Sequence, residues 1–134
     1  MNFNKFTIKS QEAIQQGQQI AQSFEHQQIE NSHILKGVFE VDENVAPFII
    51  KKLGVNFELL KSLIDKTIES YSKVSGGEIM LSKNASKMLN TAANEAKNLN
   101  DEYVSIEHLL LAILKTKDTT SQILKDQGIS EKEL

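Results

Sequence analysis

The 134-residue chain is 40% hydrophobic and 25% charged, with a formal net charge of −3 and no cysteine. These values fit one compact domain or two fused halves, and they exclude extended disorder, disulfides, thiolate metal sites and a cysteine nucleophile. All 15 cationic residues are lysines scattered along the chain, so the arginine fork and the basic face expected of a nucleic-acid binder are both missing.

No apolar run approaches the ~20 residues that span a bilayer. The opening Met1-Asn2-Phe3-Asn4-Lys5-Phe6 has neither the apolar core nor the small-residue cleavage site of a secretory signal. A soluble, cytoplasmic chain without membrane partners is expected.

Thr7 is positioned to cap a helix running from about Ile8 to about Phe24, with Ala13, Ile14, Gly17, Ala21 and Phe24 on one face and glutamines on the other. His26-Gln27-Gln28 reads as a connection. A second helix carries Ile34, Leu35, Val38 and Phe39, and Asp42-Glu43-Asn44 interrupts it. A short third helix tolerates Pro47 in its first turn, turns Phe48, Ile49 and Leu53 inward, and stops at Gly54. Asn56 caps a fourth helix with Leu60, Leu63, Ile64, Thr67, Ile68 and Tyr71 in register.

The pattern stops between Ser72 and Met80, where Ser75-Gly76-Gly77 marks a loop and a seam. It then begins again. Ser82 stands as the cap, Met88, Leu89, Ala92, Ala96 and Leu99 form the stripe, and Asn100-Asp101-Glu102 makes the connection. The most apolar run of the chain follows, Tyr103 to Leu114. Lys117-Asp118-Thr119 is a break, Ile123 and Leu124 lie in a short helix that Gly128 closes, and Ser130 caps a helix that is barely begun by Leu134.

Placed side by side, the halves pair Phe6 with Leu81, Ala13 with Met88, Phe24 with Leu99, Ile29 with Val104, and His33-Ile34-Leu35 with His108-Leu109-Leu110. Beyond the break the register shortens by one residue and pairs Gly54 with Gly128. An internal duplication is therefore expected: an all-α single domain of seven to eight helices, with a first repeat over about 1–71, a loop over 72–80 and a second repeat over about 81–134. The second repeat has no equivalent of the helix after Asn56, which points to a segment of a longer protein.

Enzyme chemistry has little support. GxxxxGK[ST] and HExxH are both absent, Asp42/Glu43 and Asp101/Glu102 read as solvated connection residues, and no nucleophile–base–acid spacing occurs. His33 and His108 sit three residues after their helix caps and are expected to complete the helix starts by hydrogen bonding. The helix dipole alone favours an acid at Glu107. Its counterpart is Ser32, so the fold does not demand a carboxylate there, and Glu107 stands out as a functional candidate.

Ser105-Ile106-Glu107-His108-Leu109-Leu110-Leu111-Ala112-Ile113-Leu114 resembles the EHLLLALL signature of the Clp N-terminal repeat domain, which precedes the ATPase rings of Clp-family AAA+ unfoldases. The resemblance covers essentially the whole chain. Asn4-Lys5-Phe6-Thr7, Ile29-Glu30 and Gly76-Gly77 draw it toward the ClpB disaggregase branch. The resemblance implies two four-helix repeats and a non-catalytic domain without its own cofactor. ATP and magnesium would belong to ATPase modules outside these residues. It implies engagement of unfolded or aggregated polypeptide, delivery to the ring of a parent homohexamer, and action alongside a co-chaperone system. The isolated domain would be a monomer. The alternative is an adaptor-docking or regulatory domain of a protease-associated unfoldase.

By the same resemblance Thr7, Asp101 and Glu107 occupy substrate-engaging positions near an apolar groove. Two departures matter. Relatives that bind phosphoarginine place an acid ahead of the histidine in both repeats, whereas the first repeat here has Asn31-Ser32-His33, so that recognition is not carried over. Ile106 stands where the family usually has Thr or Ser, and is expected to add apolar surface to the site.

Overall fold

The computed structural model describes residues 2–74 and 76–134, so the Ser75 position of the expected seam lies outside the described residues. Seven α-helices account for most of it: α1 (Ile8–Ser23), α2 (Asn31–Val41), α3 (Val45–Lys52), α4 (Phe57–Glu69), α5 (Lys83–Asn98), α6 (Ile106–Lys115) and α7 (Thr119–Asp126). A 3-10 turn, Glu131–Glu133, follows. The caps lie where the sequence placed them. Thr7, Asn56 and Ser82 each accept a hydrogen bond from a backbone N–H three residues on, and Gly54 and Gly128 end α3 and α7 with positive φ.

The duplicated motif supplies α2 and α6, the two central helices. Each touches α1 and α5, and α6 also receives α3 and α7. That position explains the composition of α6: Ile106, Leu109, Leu110, Ile113 and Leu114 are all buried because α6 has neighbours on most sides. The most extensive helix contact is α1 on α2. Gly17 and Gly37 permit it, since a Cβ on Gly37 would lie 2.3 Å from the Ala13 carbonyl oxygen. The positions that pair with them in the second repeat are Ala92 and Ala112, both buried, so small residues serve both crossings.

The halves are also stitched by backbone. Strand β1 (Gln28–Ile29) pairs in parallel with β2 (Met80–Leu81), with Ile29 opposite Leu81. The reciprocal contact is the parallel bridge of Phe6 with Val104. Thr7 N–H donates to the Val104 carbonyl at 2.9 Å, and Ser82 N–H donates to the Ile29 carbonyl at 3.0 Å. Each repeat thus lays its first residues along the other repeat's entry into the central helix. Phe6 with Leu81 and Ile29 with Val104 are legible in the sequence only as matching repeat positions, because two-residue strands leave no periodic signal of their pairing.

Four expectations need correction. Of the three residues expected to turn inward from the third helix, Ile49 and Leu53 are partly buried against the core, but Phe48 is 64% exposed, and the fully buried residues of α3 are Ala46 and Ile50. Leu99 does not extend the α5 stripe; it is the C-cap residue and is 59% exposed. Asp42 is buried rather than solvated: its carboxylate accepts from the N–H groups of Asn44, Val45 and Ala46 at 3.1, 3.1 and 2.8 Å and so holds the start of α3. Ile106 is 3% exposed. As the first residue of α6 it lies on the same stripe as Leu109, Leu110 and Ile113, so it adds core and no surface.

Candidate functional site

α5 ends with Asn100 in the left-handed conformation, φ 60°, and Asp101 N–H donates back to the Ala96 carbonyl at 2.8 Å. This helix-end turn fixes where Asp101 leaves the backbone. Three residues later Val104 is held from both sides. Its N–H donates to the Lys5 carbonyl at 2.7 Å, and its carbonyl accepts from Thr7 N–H. Thr7 Oγ1 accepts from Ser10 N–H at 3.1 Å and lies 2.9 Å from Ser10 Oγ, so its hydroxyl is spent on the α1 cap. Thr7 therefore couples the start of α1 to the segment that enters α6.

At that entry His108 Nδ1 accepts the Ser105 N–H at 2.9 Å, and His108 Nε2 lies 2.8 Å from Asp101 Oδ2. The neutral imidazole has one bare nitrogen and one N–H. With Nδ1 taken by the backbone donor, Nε2 carries the proton and donates to Asp101. The Ser105 hydroxyl, 3.0 Å from both His108 Nδ1 and Glu107 Oε2, then gives its single proton to Glu107.

The sequence candidates Thr7, Asp101 and Glu107 come together in one open depression of about 410 Å³, lined also by Leu99, Glu102, Tyr103, Leu111 and Leu134. Three carboxylates and several exposed apolar side chains share this surface. Ile106 is excluded from it by burial. Sequence reasoning missed Leu99, Tyr103 and Leu111.

The first repeat uses the same scaffold with different contents. Glu25, the counterpart of Asn100, is left-handed at φ 59°, and His26 N–H donates to the Ala21 carbonyl at 2.9 Å. His33 Nδ1 accepts the Glu30 N–H at 2.8 Å, which bears out the capping role expected of both histidines. His26 occupies the position of Asp101, and Tyr71 closes over the pair with ring centroids 5.5 Å from each imidazole. Ser32, in place of Glu107, shares a 2.8 Å hydrogen bond with the Tyr71 hydroxyl. This end offers no equivalent carboxylate pair.

A family model for the Clp repeat (R) N-terminal domain matches residues 5–127. The chain belongs to that family. As a Clp repeat domain it is similar to the N-terminal part of two chaperone proteins named ClpB. The one from Bacteroides thetaiotaomicron is 53% identical over 134 residues, covering 100% of this chain and 16% of the relative. The one from Porphyromonas gingivalis is 42% identical over 131 residues, covering 98% of this chain and 15% of the relative. The chain thus spans only a small fraction of the length of these relatives, and corresponds to their N-terminal repeat domain rather than to an ATPase module. Among solved structures, the N-terminal domain of Hsp104 from Candida albicans superimposes with a TM-score of 0.86 at 20% identity, covering 97% of this chain and 86% of that one. The fold is therefore the Clp repeat domain fold. Among the described residues no helix is long and apolar enough to cross a membrane.

Proposed function

We propose that this Clp repeat domain is the client receptor of a ClpB-type chaperone, taking hold of unfolded or aggregated polypeptide before ATPase rings outside these residues act on it. The reading rests on one observation: Thr7, Asp101 and Glu107 share a depression with exposed Leu99 and Tyr103. Apolar side chains of an extended client settle against Leu99, Tyr103 and Leu111. The carboxylates of Asp101, Glu102 and Glu107 favour segments flanked by Lys or Arg and repel acidic ones. A shallow, open surface of this kind gives weak and quickly reversible binding, which suits a receptor that must release its client to a motor. Thr7 acts indirectly by fixing the geometry of α1 against Val104. ATP and its magnesium belong to the ring modules, and the parent works as a hexamer with co-chaperones in the cytoplasm.

Titrating the domain with a permanently unfolded polypeptide and following backbone NMR signals tests this. Shifts should concentrate at Thr7, Leu99, Asp101, Tyr103 and Glu107; a client that binds without moving them places the site elsewhere. The alternative of adaptor docking draws on a different feature, exposed Phe48 beside Val45, Pro47 and Lys51. A folded adaptor that shifts α3 signals and leaves Asp101 untouched would favour it.

A further inference from the structure

Two of the three carboxylates of the depression are not free side chains. Asp101 Oδ2 accepts from His108 Nε2 at 2.8 Å, and Glu107 Oε2 accepts from Ser105 Oγ at 3.0 Å. Ser105 and His108 are joined in turn by the 2.9 Å hydrogen bond from Ser105 N–H to His108 Nδ1. One continuous relay therefore runs Asp101–His108–Ser105–Glu107. Asp101 Oδ1 and Glu107 Oε1 have no hydrogen-bond partner among the described residues. Glu102 is exposed and unanchored, so it contributes negative field without geometry.

The first repeat is an internal control for this arrangement. There the backbone-capped histidine again reaches the residue seven positions before it, with His33 Nε2 3.0 Å from His26 Nδ1. The fold builds the cap and the reach of the imidazole in both halves. The residues placed on that frame decide what each end presents.

We propose that Ser105 and His108 are positioning residues that commit one oxygen each of Glu107 and Asp101, so that the groove selects a client lysine ammonium over an arginine guanidinium. The inference rests on the receptor reading above. A guanidinium gains its advantage from two parallel hydrogen bonds to both oxygens of one carboxylate. Here that fork competes with Ser105 at Glu107 and with His108 at Asp101. An ammonium is a compact point charge that needs a single oxygen from each carboxylate and leaves the relay intact. Removing the Ser105 hydroxyl frees Glu107 Oε2 and returns the fork to guanidinium.

The test uses two extended peptides with the same apolar centre, one flanked by Lys and one by Arg, titrated against the wild-type domain and against Ser105→Ala, with NMR to locate binding. The wild type should bind the Lys peptide more tightly than the Arg peptide, and a wild-type preference for the Arg peptide overturns the inference. Ser105→Ala should raise the Arg-to-Lys affinity ratio about fivefold, the scale of one additional charge-assisted hydrogen bond at an exposed site, and Ser105→Thr should restore the wild-type ratio. Because alanine is a poor helix cap, Ser105→Gly, which removes the hydroxyl while keeping a tolerated cap, provides the same readout if the alanine variant unfolds. An unchanged ratio in a folded hydroxyl-less variant, with binding still at Asp101 and Glu107, overturns the positioning role and leaves the receptor reading in place. Failure of both peptides to perturb these residues in the wild type overturns the receptor reading and the inference with it.

Discussion

His26 Nδ1 lies 3.0 Å from His33 Nε2, at the positions where the second repeat holds Asp101 and His108. Substituting a base for an acid at one end of a shared frame changes how that end responds to protons. His33 Nδ1 accepts from Glu30 N–H, so His33 Nε2 donates to His26, and a proton added to either ring sets donor against donor. Burial, with His26 adding to it, lowers the His33 pKa from 6.5 to about 4. Burial and then Lys73 lower that of His26, partly offset by the Tyr71 backbone. Glu30 and Asp118 are the acids facing this cluster through Tyr71.

The sign follows from these directions. The unfolded chain takes up protons near pH 6.5, where the folded pair does not, so stability is complete above that pH and declines as pH falls from 6.5 toward about 4. Urea unfolding should show a loss of about 1–2 kcal/mol at pH 5 relative to pH 7.5 from this pair. His26→Gln should make the dependence shallower, leaving the part set by the burial of His33. An equally steep profile in that variant would place the acid sensitivity elsewhere.

Asp42 caps α3 through three backbone N–H groups from a buried position. Asp42→Ala leaves those donors unsatisfied and should cost about 2 kcal/mol. Thermal or denaturant unfolding reads this directly, and amide exchange should localise the loosening to Asn44–Ala46.

Gly37 packs against the α1 backbone at the closest approach of α1 and α2. A methyl group there meets the Ala13 carbonyl oxygen at 2.3 Å and the Gly17 nitrogen at 3.0 Å, neither of which yields without moving a helix. Gly37→Ala should destabilise by roughly 3 kcal/mol or more, measured as a lowered denaturant midpoint. Gly54→Ala meets no atom within 4 Å but must hold φ 78°, so its cost should be smaller, about 1 kcal/mol.

Leu99 is exposed at the rim of the depression rather than buried with the α5 stripe. Leu99→Ser should change stability by less than about 0.5 kcal/mol while weakening binding of an unfolded client severalfold. A stability loss comparable to that of a core leucine would show that Leu99 packs inward after all.

Leu99 and Phe48 show why the outward face was hard to read. In Val45–Ile50 every residue is apolar, and only Lys51 and Lys52, one turn after Phe48, mark the outward side, so the face was settled by the neighbours of Ala46 and Ile50. Leu99 keeps the spacing of the α5 stripe, three residues after Ala96, but lies one residue past the last helical residue, just before the left-handed turn at Asn100. In α5 and α2 the apolar residues recur with the helical period and their burial was legible, whereas in α6 the near-continuous apolar run hid that Ile106 faces the core.

The opposite case is Asp101, Glu107 and Thr7. Each was marked in the sequence as a cap, a connection residue or a resemblance, without contact to the others. Asp101 and Glu107 are joined locally through His108 and Ser105, but Thr7 reaches them only through the Phe6–Val104 bridge, a single parallel pairing between residues far apart in the chain.

Local signals thus determined this protein's helices, caps and duplication, because helix periodicity and capping act over three or four residues and are written in adjacent letters. The tertiary structure alone decided which apolar residues face water and how the carboxylates of the groove are held. Those outcomes depend on the reciprocal crossing of the two repeats and on hydrogen bonds from Ser105 and His108 that aim two acids. Long-range pairing of this kind leaves no period in the sequence, and one shared frame can present Asp101 at one end and His26 at the other.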